Sequence, residues 1–156
     1  MKIDYLETIK LIEQLHRQFL EVIKAELDKR AVEDINAVQS LILFNIANDE
    51  VSMGELTEHG YYLGANVSYN AKKLQQSGYI DFHRSRQDKR SIKVSLTYKG
   101  KQFKKIMDGF IDIHIQKLQN FELSPDEIIH TNTGLKKLEL FWNNLLHYNE
   151  TISKYG

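Results

Sequence analysis

The chain contains no cysteine and only one proline, Pro125. The first absence excludes disulfides, thiolate zinc sites and cysteine-based oxidant sensing, and fits a reducing compartment. The second, together with the lack of any internal repeat or low-complexity run, leaves no candidate for a flexible interdomain linker. Nowhere do about 18 apolar residues follow one another, as a membrane-spanning helix requires. The opening stretch MKIDYLETIKLIEQLHRQ carries acids and bases throughout instead of a signal-type apolar run. The expectation is a soluble, cytoplasmic protein with no membrane partner. HExxH, Walker A and GxGxxG are all missing, and the six histidines (His16, His59, His83, His114, His130 and His147) form no i, i+4 pair. No metal ligand, cofactor or catalytic set can be nominated, so an enzyme is not expected. At 156 residues and 42% hydrophobic, the chain is long enough to bury a core without staples.

Its formal net charge is zero, but the charge is unevenly distributed. Residues 66–105 hold eleven lysines and arginines against two acids, Asp81 and Asp88; this net +9 leaves −9 on the remainder. Such asymmetry between segments points to a polyanionic partner.

Helical periodicity and capping chemistry organise the chain. Asp4 with Glu7 has the spacing of a capping box, and Leu6, Ile9, Ile12, Leu15, Phe19, Ile23 and Leu27 continue a long first helix to about Arg30. Asn36 with Gln39 opens a second helix that is apolar nearly all round, as a core helix is. Ser52 with Glu55 opens a third, ending near His59, and a turn follows in GYYLG. In the next helix, from about Gly64, Val67, Ala71 and Leu74 form the inward stripe. That leaves Ala65, Asn66, Ser68, Tyr69, Lys72, Lys73 and Gln76 outward or on the flank. Amides and hydroxyls on such a face can read base edges while lysines meet phosphates.

After Gly78 the period changes from helical to alternating. Ile80 and Phe82, then Ile92, Val94 and Leu96, predict two antiparallel strands with one buried face. Between them lies RSRQDKR, a tip whose Arg84, Arg86, Lys89 and Arg90 suit a phosphate backbone or a minor groove. A long amphipathic helix is expected from Thr97 to Phe121. Ser124, Pro125 and Glu127 then cap a last helix, with a weak stretch at 131–134.

The expected fold is mainly α with a small β-hairpin wing. A winged helix-turn-helix at residues 33–100 is flanked by N- and C-terminal helices at 1–32 and 101–156. The end helices show more apolar surface than one chain can cover, which implies a homodimer reading a pseudo-palindromic duplex site. The alternative is a helical interaction or scaffold protein whose winged domain binds another protein, distinguished by failure to associate with duplex DNA at any salt concentration.

Asp88-Lys89-Arg90 in the wing, followed by Leu96-Thr97-Tyr98-Lys99-Gly100, gives D-x-R and LTxxG motifs in the right order behind the paired helices. In these features the chain resembles the MarR (multiple antibiotic resistance regulator) family of winged-helix transcription factors. The resemblance implies that Asp88 pairs with Arg90 to set the wing tip, that wing arginines lie near the minor groove, and that the helix from Gly64 lies in the major groove. Where family members usually carry S-x-V-S-R, this chain has Ala65-Asn66-Val67-Ser68-Tyr69. The resemblance also implies modulation by a small aromatic or acidic effector, with Tyr5, His16, Tyr61, Tyr62 and His114 as candidate pocket residues.

Overall fold

The computed structural model describes residues 1–46, 50–58 and 64–155. Two compact units divide the chain, Met1–Asp108 and Gly109–Gly156. The first contains α1 (Lys2–Lys29), α2 (Ala37–Phe44), β1 (Glu50–Ser52), α3 (Met53–Glu58), α4 (Gly64–Gln76), β2 (Ile80–Arg84), β3 (Ile92–Leu96) and the start of α5 (Tyr98–Leu118). The second contains the rest of α5 and α6 (Pro125–Tyr155). No helix among the described residues is long and apolar enough to cross a membrane.

Three of the four expected capping boxes form. Asn36 Oδ1 accepts from the Gln39 amide at 2.8 Å while Gln39 Oε1 accepts from the Asn36 amide at 3.0 Å. Ser52 with Glu55 and Ser124 with Glu127 make the same reciprocal pairs. The box expected from Asp4 and Glu7 does not form. The first helix begins three residues earlier than an Asp4 cap implies, at Lys2, and Asp4 instead sits within its first turn, where its carboxylate takes the terminal ammonium at 2.7 Å. A carboxylate there also faces the positive end of the helix dipole. At the other end Ala31 adopts φ 54°. Its amide and that of Val32 reach back to Asp28 and Leu27 carbonyls, a left-handed helix stop normally given to glycine.

Expectation and structure differ in four further places. The sheet has three strands, in the order β1-β3-β2, where two were expected. Ser52 is both the last residue of β1 and the cap of α3, and a strand of three residues is too short to show an alternating pattern. Burial fades along the hairpin from Ile80 and Leu96 at its base to Arg84 opposite Ile92, and Ile92 is 46% exposed. The hairpin therefore rises off the core, and Ile92 does not face the buried layer despite being in phase. Helix α5 stops at Leu118, leaving Phe121 exposed in the turn beyond it. Helix α6 runs through the weak stretch at 131–134, where Thr133 Oγ1 donates to the Ile129 carbonyl.

Where α4, β2 and α5 meet, LTxxG acts as a joint. Thr97 Oγ1 donates to the Gly78 carbonyl at 2.6 Å and accepts the Gly100 amide at 3.1 Å, capping α5 on the turn that ends α4. Gly78 makes that turn with φ 81°. Lys99 then ties in the α1–α2 connection. Its Nζ donates to Asp34 Oδ2 at 2.6 Å and the Ser77 carbonyl at 2.9 Å, and lies 4.3 Å from the Tyr79 ring centroid. The Tyr79 hydroxyl donates to Asp34 Oδ1 at 2.7 Å.

Partial burial pushes the Asp34 carboxyl upward. The hydrogen bonds from Lys99 and Tyr79 and the lysine charge together outweigh that and hold it below the usual carboxylate range. A lowered folded-state pKa gives stability that is complete above the unfolded value, about 4, and lost as pH falls through the folded one. Wild type should therefore lose more of its thermal midpoint between pH 7 and pH 3 than Asp34→Asn does, the effect being small because the pair is half exposed. Equal losses would dismiss the pair as a source of pH dependence.

Candidate nucleic-acid interface

Helix α4 is split cleanly by burial. Val67, Ala71 and Leu74 are fully buried, as the spacing implied, and Asn66, Ser68, Tyr69, Lys72, Lys73 and Gln76 are exposed. The side chain of Ala65 lies outside the described part of the structure.

One position on the inner side is polar. Asn70 is buried, and its Oδ1 accepts from Gln39 Nε2 at 3.2 Å while its Nδ2 donates to the Asn66 carbonyl at 2.8 Å. Gln39 is itself the capping partner of Asn36, so a continuous chain of amides runs from the start of α2 into the first turn of α4. A buried amide left unpaired costs roughly 1–3 kcal/mol, so this chain favours one rotational setting of α4 over its neighbours. Asn70 is not among the residues that the apolar periodicity of α4 singles out. Its signal was an amide three residues after Val67 and four before Leu74, on the buried face.

The wing tip is ordered by its own hydrogen bonds. Ser85 Oγ accepts from the amides of Gln87 and Asp88 at 3.3 and 3.4 Å, and the Ser91 amide donates to the Asp88 carbonyl at 3.0 Å. Asp88 Oδ1 accepts from the backbone amide of Arg90 at 3.0 Å. The expected side-chain pair is therefore a carboxylate-to-backbone bond, and no ion pair joins Asp88 to the Arg90 guanidinium. An aspartate bonding the amide two residues on is a turn-forming device that needs no arginine side chain. Arg84, Arg86, Lys89 and Arg90 are all exposed.

Not all of the basic segment faces outward. Lys99 is engaged at the joint, and Lys104 Nζ donates to the Ile46 carbonyl at 2.6 Å, supporting the end of α2. On the outer sheet face His83 Nε2 lies 3.4 Å from Glu50 Oε2.

The candidate pocket residues come from separate elements. Tyr5 and His16 lie on α1 in the first unit, eleven positions and therefore about 16 Å apart along the axis. His114, on α5 in the second unit, has its ring 4.1 Å from that of Phe110. Tyr61 and Tyr62 are outside the described residues, as is the turn expected in GYYLG. The first unit has a separate cleft of about 530 Å³ at the α1–α2 elbow, lined by Leu20, Lys24, Leu27, Val32, Ile35 and Val38 among others. No group of three His, Asp or Glu side chains suited to a metal ion occurs among the described residues.

A family model described as the MarR family matches residues 33–91, the segment holding the helix-turn-helix and most of the wing. The exopolysaccharide II synthesis transcriptional activator ExpG of Rhizobium meliloti is 34% identical over 146 residues, covering 94% of this chain and 75% of that protein. Among solved structures, Streptococcus pneumoniae FabT in complex with DNA superposes with a TM-score of 0.70 at 22% identity, covering 90% of this chain and 99% of that one. A mutant MarR from E. coli complexed with operator DNA gives 0.69 at 21% identity, covering 86% and 95%. The two structures share the fold, and the identity to ExpG across nearly the whole chain carries the assignment: this chain belongs to the MarR family of winged helix-turn-helix transcriptional regulators.

Proposed function

We propose that this regulator works as a homodimer that places α4 of each protomer in successive major grooves of a pseudo-palindromic duplex site, with each wing tip against the flanking backbone or minor groove. The observation that carries the reading is the division of α4: a fully buried apolar stripe on one side and an uninterrupted exposed face of Asn66, Ser68, Tyr69, Lys72 and Lys73 on the other. The wing cations Arg84, Arg86, Lys89 and Arg90 are exposed as well, and both FabT and the E. coli MarR mutant were solved on DNA. Exposed Leu11, Leu15 and Phe19 on α1, and Leu140, Phe141, Leu145 and Leu146 on α6, support a second copy as their cover. Such a regulator works in the cytoplasm, whose reducing conditions fit the lack of cysteine.

Selection of bound sequences from a random duplex pool tests this. Two inverted half-sites should emerge, centred about one helical turn apart, roughly 34–36 Å. A single uninverted motif would remove the dimer from the reading, and retention of no duplex even at low salt would remove DNA.

Modulation by a small aromatic or acidic effector belongs to the same proposal. What supports it is the elbow cleft, of drug-like size and with apolar walls on α1 and α2, whose charged lining residues are Lys24 and the acids Glu21, Asp28 and Glu33, a balance that suits an aromatic ligand better than an acid. Tyr5, His16, Tyr61, Tyr62 and His114 remain alternative contacts to be tested by substitution.

A further inference from the structure

Helix α4, GANVSYNAKKLQQ, contains neither arginine nor an acid. The bidentate guanidinium contact to guanine O6 and N7, the commonest specific contact in the major groove, is therefore not available from it, nor is a carboxylate to accept from cytosine. Its two lysines come in the second half of the helix, whereas helix-turn-helix proteins read bases mainly with the N-terminal part of the reading helix. There the chain offers Asn66, Ser68 and Tyr69.

Tyr69 stands out among these. Its ring is 63% exposed on a face whose other groups are polar, and the core of the helix is complete without it. Lys73, one turn later, has its ammonium 5.7 Å from the ring centroid. A cation at that distance favours a fixed ring position and sits where a phosphate could also engage it. What an outward aromatic ring can recognise in a major groove is the one apolar feature on the base edges, the C5-methyl of thymine. The amide of Asn66 suits adenine N6 and N7.

Resting on the DNA-binding reading above, we infer that Tyr69 is a specificity-determining residue that packs its ring on a thymine methyl. With Asn66 it makes the centre of each half-site A·T and not G·C. The wing arginines act in the same direction, since narrow A·T-rich minor grooves attract arginine.

The test removes the methyl alone. The selected duplex is resynthesised with deoxyuridine in place of thymine, one position at a time, and bound to wild type, Tyr69→Ala and Tyr69→Phe. Burying one carbon corresponds to about a four-fold change in affinity, so substitution in both half-sites should weaken wild type roughly fifteen-fold at one symmetric position. Tyr69→Ala should bind the thymine and uracil duplexes alike, and Tyr69→Phe should discriminate as wild type does, because the ring carries the contact. Selection with Tyr69→Arg should move that position from A·T to G·C. Since Tyr69 lies outside the core, unfolding curves of these variants should match wild type. A wild type indifferent to uracil everywhere, or an alanine variant as sensitive as wild type, overturns the role of Tyr69 while DNA binding stands. Failure to retain any duplex overturns the DNA reading and this inference together.

Discussion

Gly100→Ala is expected to cost about 3 kcal/mol or more of folding stability, a large share of the roughly 5–15 kcal/mol typical of a domain. A Cβ on Gly100 would lie 2.2 Å from the Tyr79 carbonyl oxygen and 3.2 Å from both the Tyr79 carbonyl carbon and Leu96 Cδ2. Overpacking against a flexible side chain can be relieved cheaply, but here the obstacle is backbone. The Tyr79 carbonyl accepts the Thr97 amide at 3.0 Å, and the adjoining Gly78 carbonyl accepts the Thr97 hydroxyl. Moving the start of α5 away to make room would stretch both bonds, and with them the Lys99 contacts to Asp34 and Ser77.

Gly109, further along the same helix, provides the control. A Cβ there meets nothing within 4 Å, so Gly109→Ala should stabilise the helix by up to about 1 kcal/mol. Urea unfolding of the two variants should therefore move in opposite directions. A Gly100→Ala midpoint within error of wild type would mean that α5 is not seated on the α4–β2 turn as described.

This joint also marks where sequence reasoning stopped. The boxes at Asn36, Ser52 and Ser124, the inward stripe of α4 and the change of period after Gly78 were all legible, because each is encoded within a few neighbouring residues. Contacts between distant residues were not. Lys99 reaches Asp34 across 65 positions, Lys104 reaches Ile46 across 58 and Gln39 reaches Asn70 across 31, and no periodicity records which partner a side chain will find. Counting charges placed Lys99 and Lys104 in the basic segment, which is correct as arithmetic, although both spend their donors on the domain itself. The D-x-R motif pairs Asp88 with Arg90, but spacing alone cannot distinguish a guanidinium donor from a backbone amide. Alternation places Ile92 inward because it reports phase and says nothing of where the supporting layer ends.

The corrected wing geometry yields the second large expected effect, since it gives Asp88 and Arg90 separable roles. With the Arg90 guanidinium free of Asp88, it can neutralise a phosphate and release counterions; the carboxylate meanwhile shapes the tip through the Arg90 amide. A dimer using some six to ten phosphate contacts loses about 10³ to 10⁵ in affinity between roughly 50 and 200 mM salt. Arg90→Ala should reduce the slope of log affinity against log salt by about 2, one contact per protomer. Asp88→Ala should weaken binding similarly at both salt concentrations and leave the slope unchanged, because it disturbs the shape of the tip and removes no cation. Asp88→Asn separates shape from charge most sharply. Its amide oxygen can still accept the Arg90 N–H while the negative charge is gone, so it should bind as tightly as wild type or more so. Pure attraction between cations and phosphates ranks the variants differently: either substitution deletes one acid, so both would tighten binding by the same amount, most of all at low salt, where screening is weakest. Neither variant should shift unfolding by more than about 1 kcal/mol, since the bond is exposed. Affinities of the three variants at two salt concentrations decide between the accounts, and tighter binding by Asp88→Ala at low salt would reduce the wing to an unstructured patch of charge.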